Sequence, residues 1–254
     1  SEMCIRDRYS QRKEITMIFA AILAGGIGSR MHMADMPKQF LPLGDKPIVI
    51  HTLEKFVLCP RFDQIYIGVH ADWLGHMENL IEKYLPQEKE RITVVCGGAD
   101  RNGTILNVVS CIESRFGQDE ENIIVTHDSV RPFVSMRMIE ENIDAAIEYG
   151  AVDTVTPAVD TIVVSENGEI ISDIPERNKM YQGQTPQSFR ISILKRLYGS
   201  LNDDEKKILT DACKICVVRD YPVHLVEGAV TNLKITTPGD YRIAQAMAGG
   251  VKVD

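Results

Sequence analysis

The sequence predicts an α/β fold, a mostly parallel twisted sheet with helices on both faces. Three observations carry that prediction. From Met17 onward, short β-branched apolar runs alternate with longer amphipathic ones, the rhythm of strand–helix–strand units. A cluster of glycines, Gly25, Gly26 and Gly28, follows directly on the first apolar run. The chain has 254 residues, 44% apolar and 25% charged, enough to bury a core without disulfides or a structural metal.

The elements follow in order. Ile18 to Leu23 is apolar throughout and reads as a buried strand. Pro47 to Val57 reads as a helix with proline suited to its first turn. Gln64 to Val69 and Ile92 to Cys96 read as strands, Arg101 to Arg115 as a helix, Asn122 to Thr126 as a strand, and Met136 to Tyr149 as a helix. Ala151 to Thr156 is again strand-like. The rhythm then breaks. Thr161 to Val164 and Glu169 to Ile171 flank Asn167-Gly168, the favoured two-residue hairpin turn. A hairpin so late has no place in a parallel sheet, so residues 157–182 are expected to form a protruding arm. Its open edges call for cover by a second copy, a homodimer. Ile191 to Tyr198 and Asp204 to Ile215 then read as helices, Val223 to Val226 and Asn232 to Ile235 as strands, and Pro238 to Met247 as a closing helix. Residues 17–254 are thus expected to form a single domain.

Composition excludes several classes. A formal net charge of −8 argues against a nucleic-acid surface. No apolar run reaches the roughly 18 residues of a membrane span. Residues 1–16 are polar without an apolar centre and read as a disordered or non-native extension rather than a signal peptide; a cytoplasmic location is the default expectation. The six cysteines do not space as a secreted framework, and Cys213-x-x-Cys216 lacks the second pair of a zinc site.

The run Leu23-Ala24-Gly25-Gly26-Ile27-Gly28-Ser29-Arg30-Met31 after the first strand suits a triphosphate: clustered glycines let backbone N–H groups approach its oxygens, Arg30 adds a donor fork, and Lys38 in Pro37-Lys38-Gln39 can reach the same phosphates. A P-loop signature is absent. A dinucleotide fingerprint starting at Gly26 would place Met31 at its third glycine, which weakens an NAD-dependent oxidoreductase reading. The plain alternative is a tight turn beside a surface Arg and Lys.

These residues, with Gly97-Gly98-Ala99-Asp100-Arg101-Asn102, His127-Asp128-Ser129-Val130-Arg131-Pro132-Phe133, Tyr181-Gln182-Gly183-Gln184-Thr185-Pro186-Gln187 and Asn232-Leu233-Lys234-Ile235-Thr236, resemble the sugar-phosphate nucleotidyltransferases of glycosyltransferase-A-like nucleotide-binding fold. The closest likeness is to the cytidylyltransferase group that acts on methylerythritol phosphate or ribitol 5-phosphate, from Met17 to about Ala248. HDSVRPF, YQGQTPQ and TDACKI look more like the ribitol branch. The resemblance implies CMP transfer from CTP to a polyol phosphate, magnesium dependence and a product destined for polymers such as teichoic acid.

It also implies roles. Arg30 and Lys38 match cations that stabilise the α-phosphate and the departing pyrophosphate. Asp128, expected at the carboxyl edge of the sheet, matches a magnesium and ribose-side aspartate, with Ser129 beside it; a helix cap partnered by Arg131 is the alternative. Thr231 stands where the methylerythritol branch has an Asp, so a second acidic metal ligand is not expected there. Gly98 and Thr104 match positions that read cytosine, with Leu23 to Gly26 on the other side of the base. Ala99, Asp100, Arg101, Asn102 and Gly103 complete that loop, Arg101 ordering it. Arg177 and Lys234 match residues that hold the acceptor phosphate, with Thr161 assisting; an arm swapped across a dimer would carry Arg177 into the partner's site. Read on its residues alone, Lys234 is the solvent-facing lysine of an alternating strand. His127 is expected to be structural, since an ionised phosphate nucleophile needs no base.

Overall fold

The computed structural model describes residues 16–26 and 36–249. Its centre is a seven-stranded sheet in the order β5-β4-β1-β6-β8-β7-β9, built from β1 (Ile18–Ala24), β4 (Gln64–Val69), β5 (Ile92–Cys96), β6 (Ile123–Asp128), β7 (Ala151–Pro157), β8 (Tyr181–Arg190) and β9 (His224–Glu227). A small hairpin of β2 (Pro42–Leu43) and β3 (Lys46–Pro47) lies apart. The chain steps from β1 outward to β4 and β5, then returns to lay β6 on the other flank of β1. That reversal opens a crevice at the carboxyl ends of β1 and β6, where open α/β sheets bind ligands.

The strand β1 shows why the sheet is buried on both faces. Ile18, Ala20 and Ile22 enter one core with α1 (Ile48–Val57), α2 (Leu74–Tyr84) and α4 (Met136–Tyr149). Phe19 and Ala21 enter the other with α3 (Arg101–Phe116), α5 (Ile191–Gly199) and α7 (Cys213–Val218). Both sets are apolar, as a strand covered on two sides requires. A third, smaller cluster packs Tyr241 and Ala244 of α8 (Pro238–Ala248) on Leu41, Leu43 and Ile235. Local signals fix the helix ends: Asp100 and Ser135 accept from backbone N–H groups at the starts of α3 and α4, and Thr237 with Asp240 forms a capping box on α8.

Several expectations need correction. Tyr181–Arg190 is a ten-residue strand, antiparallel to both β6 and β7. Residues 232–235 are not a strand: Asn232 donates from its amide to Gln184 Oε1 (3.0 Å) and Thr185 O (2.8 Å), which ties the segment to β8 without a ladder. The expected helix from Asp204 to Ile215 is two, α6 (Asp203–Lys207) and α7, because Asp211 turns its carboxylate onto Lys214 N and starts a new helix. The Cys213/Cys216 pair therefore lies on a helix, with both thiols buried, free and pushed up in pKa by that burial.

The segment between β7 and β8 leaves the sheet where the arm was expected. Its pairing is not the regular hairpin: a single bridge joins Val164 and Asp173. The Asn167 side chain accepts from the N–H groups of Glu169 and Ile170, a local turn that competes with ladder pairing. Val159, Ile170, Ile171 and Ile174 stand exposed along it.

Candidate active site

The crevice holds a cleft of about 270 Å³. Leu23, Ala24, Gly25 and Gly26 form one wall, Gly98, Ala99, Asp100, Arg101 and Thr104 the opposite one, and Asp128, Ser129, Lys38 and Lys234 the floor and rim. Residues from 23 to 234 in sequence are thus brought together. Arg30 lies outside the described residues, as does the rest of the glycine loop beyond Gly26.

The wall from Gly97 to Thr104 is a closed unit. Thr104 Oγ1 accepts from Gly98 N (3.0 Å) and donates to Asp100 O (2.9 Å), while Asp100 Oδ1 accepts from Gly103 N (2.7 Å). A Cβ on Gly98 would lie 2.5 Å from the Gly103 carbonyl carbon, so only glycine fits. The Thr104 hydroxyl is spent on the loop, and it shapes this wall rather than presenting a free hydroxyl. Asn102 and Gly103 do not line the cleft. Asn102 is buried on the far side among Ile105, Leu194 and Tyr198, and Gly103 packs under Gly98.

Asp128 ends β6 almost buried and meets three cations. Lys234 Nζ lies 2.9 Å from Oδ2, Arg131 Nε 3.5 Å from Oδ2 and Arg101 Nε 3.5 Å from Oδ1. Burial by itself would raise its pKa; the charges of Arg101, Lys234 and Arg131 outweigh that and hold the carboxyl well below the usual range. It is a carboxylate at any working pH. The helix-cap alternative does not apply, since Ser135 caps the following helix, although Arg131 is indeed a partner.

His127 is structural. Its Nε2 faces Arg131 O (3.1 Å), so that nitrogen carries the proton, and Nδ1 accepts from Thr185 Oγ1 (2.9 Å). Thr185 Oγ1 in turn accepts from Asp128 N (3.2 Å). Burial lowers the His127 pKa to about 4, and the neutral ring clamps the end of β6.

Two lining residues were not foreseen. Gln39 donates from its amide to Ala24 O (2.7 Å) and Gly26 O (2.9 Å), tying Pro37-Lys38-Gln39 to the glycine wall. Val130 adds an apolar contact beside Ser129. The signal for Gln39 was its place in the motif that supplies Lys38. Arg177 is not brought into the cleft. It donates to Val159 O (3.2 Å) on the exposed arm, and Thr161 is likewise exposed on that arm.

Magnesium takes one or two carboxylates together with substrate phosphates. Asp128 at the cleft floor fits that donor set, and no cluster of three or more His, Cys, Asp or Glu ligands occurs among the described residues. No described helix is long and apolar enough to cross a membrane.

The chain is similar to known proteins over nearly its whole length. Residues 18–249 match the family described as IspD, 2-C-methyl-D-erythritol 4-phosphate cytidylyltransferase. A protein described as ribitol-5-phosphate cytidylyltransferase from Streptococcus pneumoniae serotype 2 is 57% identical over 231 residues, covering 91% of this chain and 98% of that one. The solved 4-diphosphocytidyl-2C-methyl-D-erythritol synthase of Anaerococcus prevotii superposes with a TM-score of 0.75 at 24% identity, over 92% of this chain and 99% of that one. The 2-C-methyl-D-erythritol 4-phosphate cytidylyltransferase of Thermus thermophilus gives 0.70 at 25% identity, over 92% and 100%. A glycine-walled cleft at the switch point of the sheet, a single carboxylate ringed by cations and a family match across nearly the whole chain lead to one conclusion: this chain belongs to the IspD cytidylyltransferase family.

Proposed function

We propose that the chain transfers CMP from CTP to D-ribitol 5-phosphate, giving CDP-ribitol and pyrophosphate. The observation that carries this reading is the cleft itself, which gathers Lys38, Arg101, Asp128 and Lys234 between two glycine-rich walls. The 57% identity to a protein described as acting on ribitol 5-phosphate favours that acceptor.

An acceptor phosphate oxygen attacks the α-phosphorus, and the bond to the pyrophosphate oxygen breaks. The nucleophile is already ionised, so the protein's work is to align two anions and offset their charge. Lys38 neutralises the leaving pyrophosphate, with Arg30 as its expected companion. Lys234, whose side chain is 42% exposed beside Asp128, would meet the acceptor phosphate. Asp128 would hold a magnesium ion, which would supply positive charge to offset that of the triphosphate. The loop from Gly98 to Thr104 presents backbone groups to the base; a cytosine N4 amine donates where uracil O4 accepts, so a backbone carbonyl separates the two.

The arm is proposed to dimerise the chain. Val159 is 76% exposed and Ile170 69%, an apolar density that a second copy would cover. In that dimer Arg177 would serve the partner's acceptor site. The product fits a route to polyol-phosphate polymers such as teichoic acid.

The test is pyrophosphate release from CTP and magnesium with ribitol 5-phosphate and 2-C-methyl-D-erythritol 4-phosphate as parallel acceptors. Turnover with ribitol 5-phosphate alone is the expected result. Turnover only with the other acceptor keeps the mechanism and overturns the acceptor, and silence with both overturns the reading.

A further inference from the structure

Lys234 stands on no element of secondary structure. Residues 228–237 carry neither helix nor strand, yet Lys234 Nζ is delivered to within 2.9 Å of Asp128 Oδ2. A long, flexible side chain on an unanchored loop would spread over many positions. The path of the backbone must therefore be fixed by something else.

Asn232 is central to that. It is 0% exposed, and Nδ2 donates to Gln184 Oε1 (3.0 Å) and Thr185 O (2.8 Å) on β8. Its carbonyl oxygen accepts from Arg131 Nη1 (2.7 Å). One residue beyond Lys234, the Ile235 N–H donates to Val130 O (3.0 Å). Upstream, Gln184 Nε2 donates to Ala229 O (2.9 Å). Lys234 is thus pinned from both sides, to β8 before it and to the loop after β6 beyond it. The same partners surround Asp128: Arg131 Nε lies 3.5 Å from Oδ2, and Thr185 Oγ1 accepts from Asp128 N (3.2 Å).

The bonds through the main chain of Asn232 and Ile235 ask nothing of their side chains. The Asn232 amide is different. Its Oδ1 is buried without a hydrogen-bond partner among the described residues, which costs stability. Turning the amide over would set that oxygen against two other acceptors. An apolar side chain would fill the space without that cost, but it could not grip two acceptors on one strand.

We infer that Asn232 is a positioning residue of the cleft floor: its amide, gripping Gln184 and Thr185, fixes the chain at Lys234 and so places the ammonium group for the acceptor phosphate. This rests on reading Lys234 as the group that meets that phosphate. Asn232→Ala keeps the main-chain bonds to Arg131 and Val130, so the segment stays attached but loses its grip on β8. The ammonium group then spreads over more positions, and the acceptor must gather it in. A contact made equally in ground and transition states shows its loss in KM rather than in kcat.

The experiment is steady-state pyrophosphate release with CTP, magnesium and ribitol 5-phosphate for the wild type, Asn232→Ala, Lys234→Ala and the double variant, with melting temperatures alongside. Asn232→Ala should raise the ribitol 5-phosphate KM about tenfold, the effect of losing one or two hydrogen bonds, while kcat and the CTP KM stay within about threefold. With Lys234 already replaced, the same substitution should lower kcat/KM less than about twofold, because no ammonium group is left to place. An unchanged acceptor KM, a loss confined to kcat and melting temperature, or a tenfold loss that persists without Lys234 would overturn the inference. If Asn232→Ala does not fold, Gln184→Ala, which removes one of the two acceptors, carries the test. A smaller rise in the same KM, about threefold, is then expected, and no rise overturns the inference. A wild-type acceptor KM in Lys234→Ala would instead overturn the reading of Lys234, and the inference with it.

Discussion

Replacing Asp128 with Asn should cost about 3 kcal/mol of folding stability, and the figure can be built from the exposure of its three partners. The Lys234 side chain is 42% exposed and turns to solvent when its partner is neutralised; a pair of that kind contributes about 0–1 kcal/mol. Arg101, 22% exposed, meets Asp128 only through Nε at 3.5 Å, so its share is small. Arg131 is different. Its side chain is 9% exposed, its Nε has no hydrogen bond, and burial lowers its pKa, the sign of a cation stripped of water. Removing its counter-charge strands it, and breaking a buried pair from one side costs roughly 3–5 kcal/mol. Asparagine keeps an acceptor oxygen, which sets the expectation at the lower end. The assay is urea unfolding near pH 7.5, repeated with pyrophosphate, which should stabilise the variant more than the wild type by replacing the lost anion. The sign with pH follows from the depressed carboxyl. Its stabilisation is present above the unfolded value of about 4 and is lost as pH falls toward the lower folded value, so the gap to the variant should close in strong acid. A variant within about 1 kcal/mol of wild type, with no extra response to pyrophosphate, would refute the claim that Asp128 holds these cations together.

Other outcomes follow from the same geometry. Lys38→Ala should lower kcat roughly 100-fold or more while the CTP dissociation constant moves less than about threefold; equal losses in both would remove its transition-state role. Gly98→Ala places a Cβ 2.5 Å from the Gly103 carbonyl carbon, so calorimetry should show CTP affinity reduced about tenfold as the loop is pushed aside. His127 has a folded pKa near 4, below its unfolded value of about 6.5, so its stabilisation is complete above the latter and is lost as pH falls between the two. His127→Gln should therefore show a drop in stability between about pH 7 and 4.5 that is smaller than wild type's by about 2–3 kcal/mol. Ile170→Asp combined with Ile171→Asp should shift sedimentation from dimer to monomer, and a wild type that sediments as a monomer would overturn the arm's role.

The parallel half of the sheet was legible because burial on both faces leaves one reading. Gln64–Val69 and Ile92–Cys96 fall where the apolar runs place them. Strand β8 was not, because its side chains do polar work: Gln184 and Thr185 hold Asn232, and Gln187 holds two carboxylates. Its polarity hid a strand with few apolar signals. The reverse error at 232–235 has the same origin. Apolar Leu233 and Ile235 flank Lys234 in strand alternation, yet it is side-chain bonds from Asn232, not ladder pairs, that tie the segment to β8. For the site, the glycine walls and Asp128 could be read from motifs at strand ends. Of the charges around Asp128, Arg131 was legible three residues on, whereas Arg101 and Lys234 approach from separate parts of the chain and were not read as its partners. Arg177 shows the opposite limit: its motif position does not bring its side chain into this cleft, and it bonds Val159 O on the arm instead.

Lys234 and Asp128 meet across more than a hundred intervening residues, which gives the cleft a place in time as well as in space. During synthesis the amino-terminal βαβ units can close on one another from near neighbours, whereas the floor of the cleft waits for the chain that follows β9. A nascent chain halted before that point would carry Asp128 with Arg101 and Arg131 alone, and without Asn232 to draw Thr185 and Arg131 into place. Nucleotide binding should accordingly switch on only after the segment from Asn232 to Lys234 has been made and has folded back onto β6 and β8.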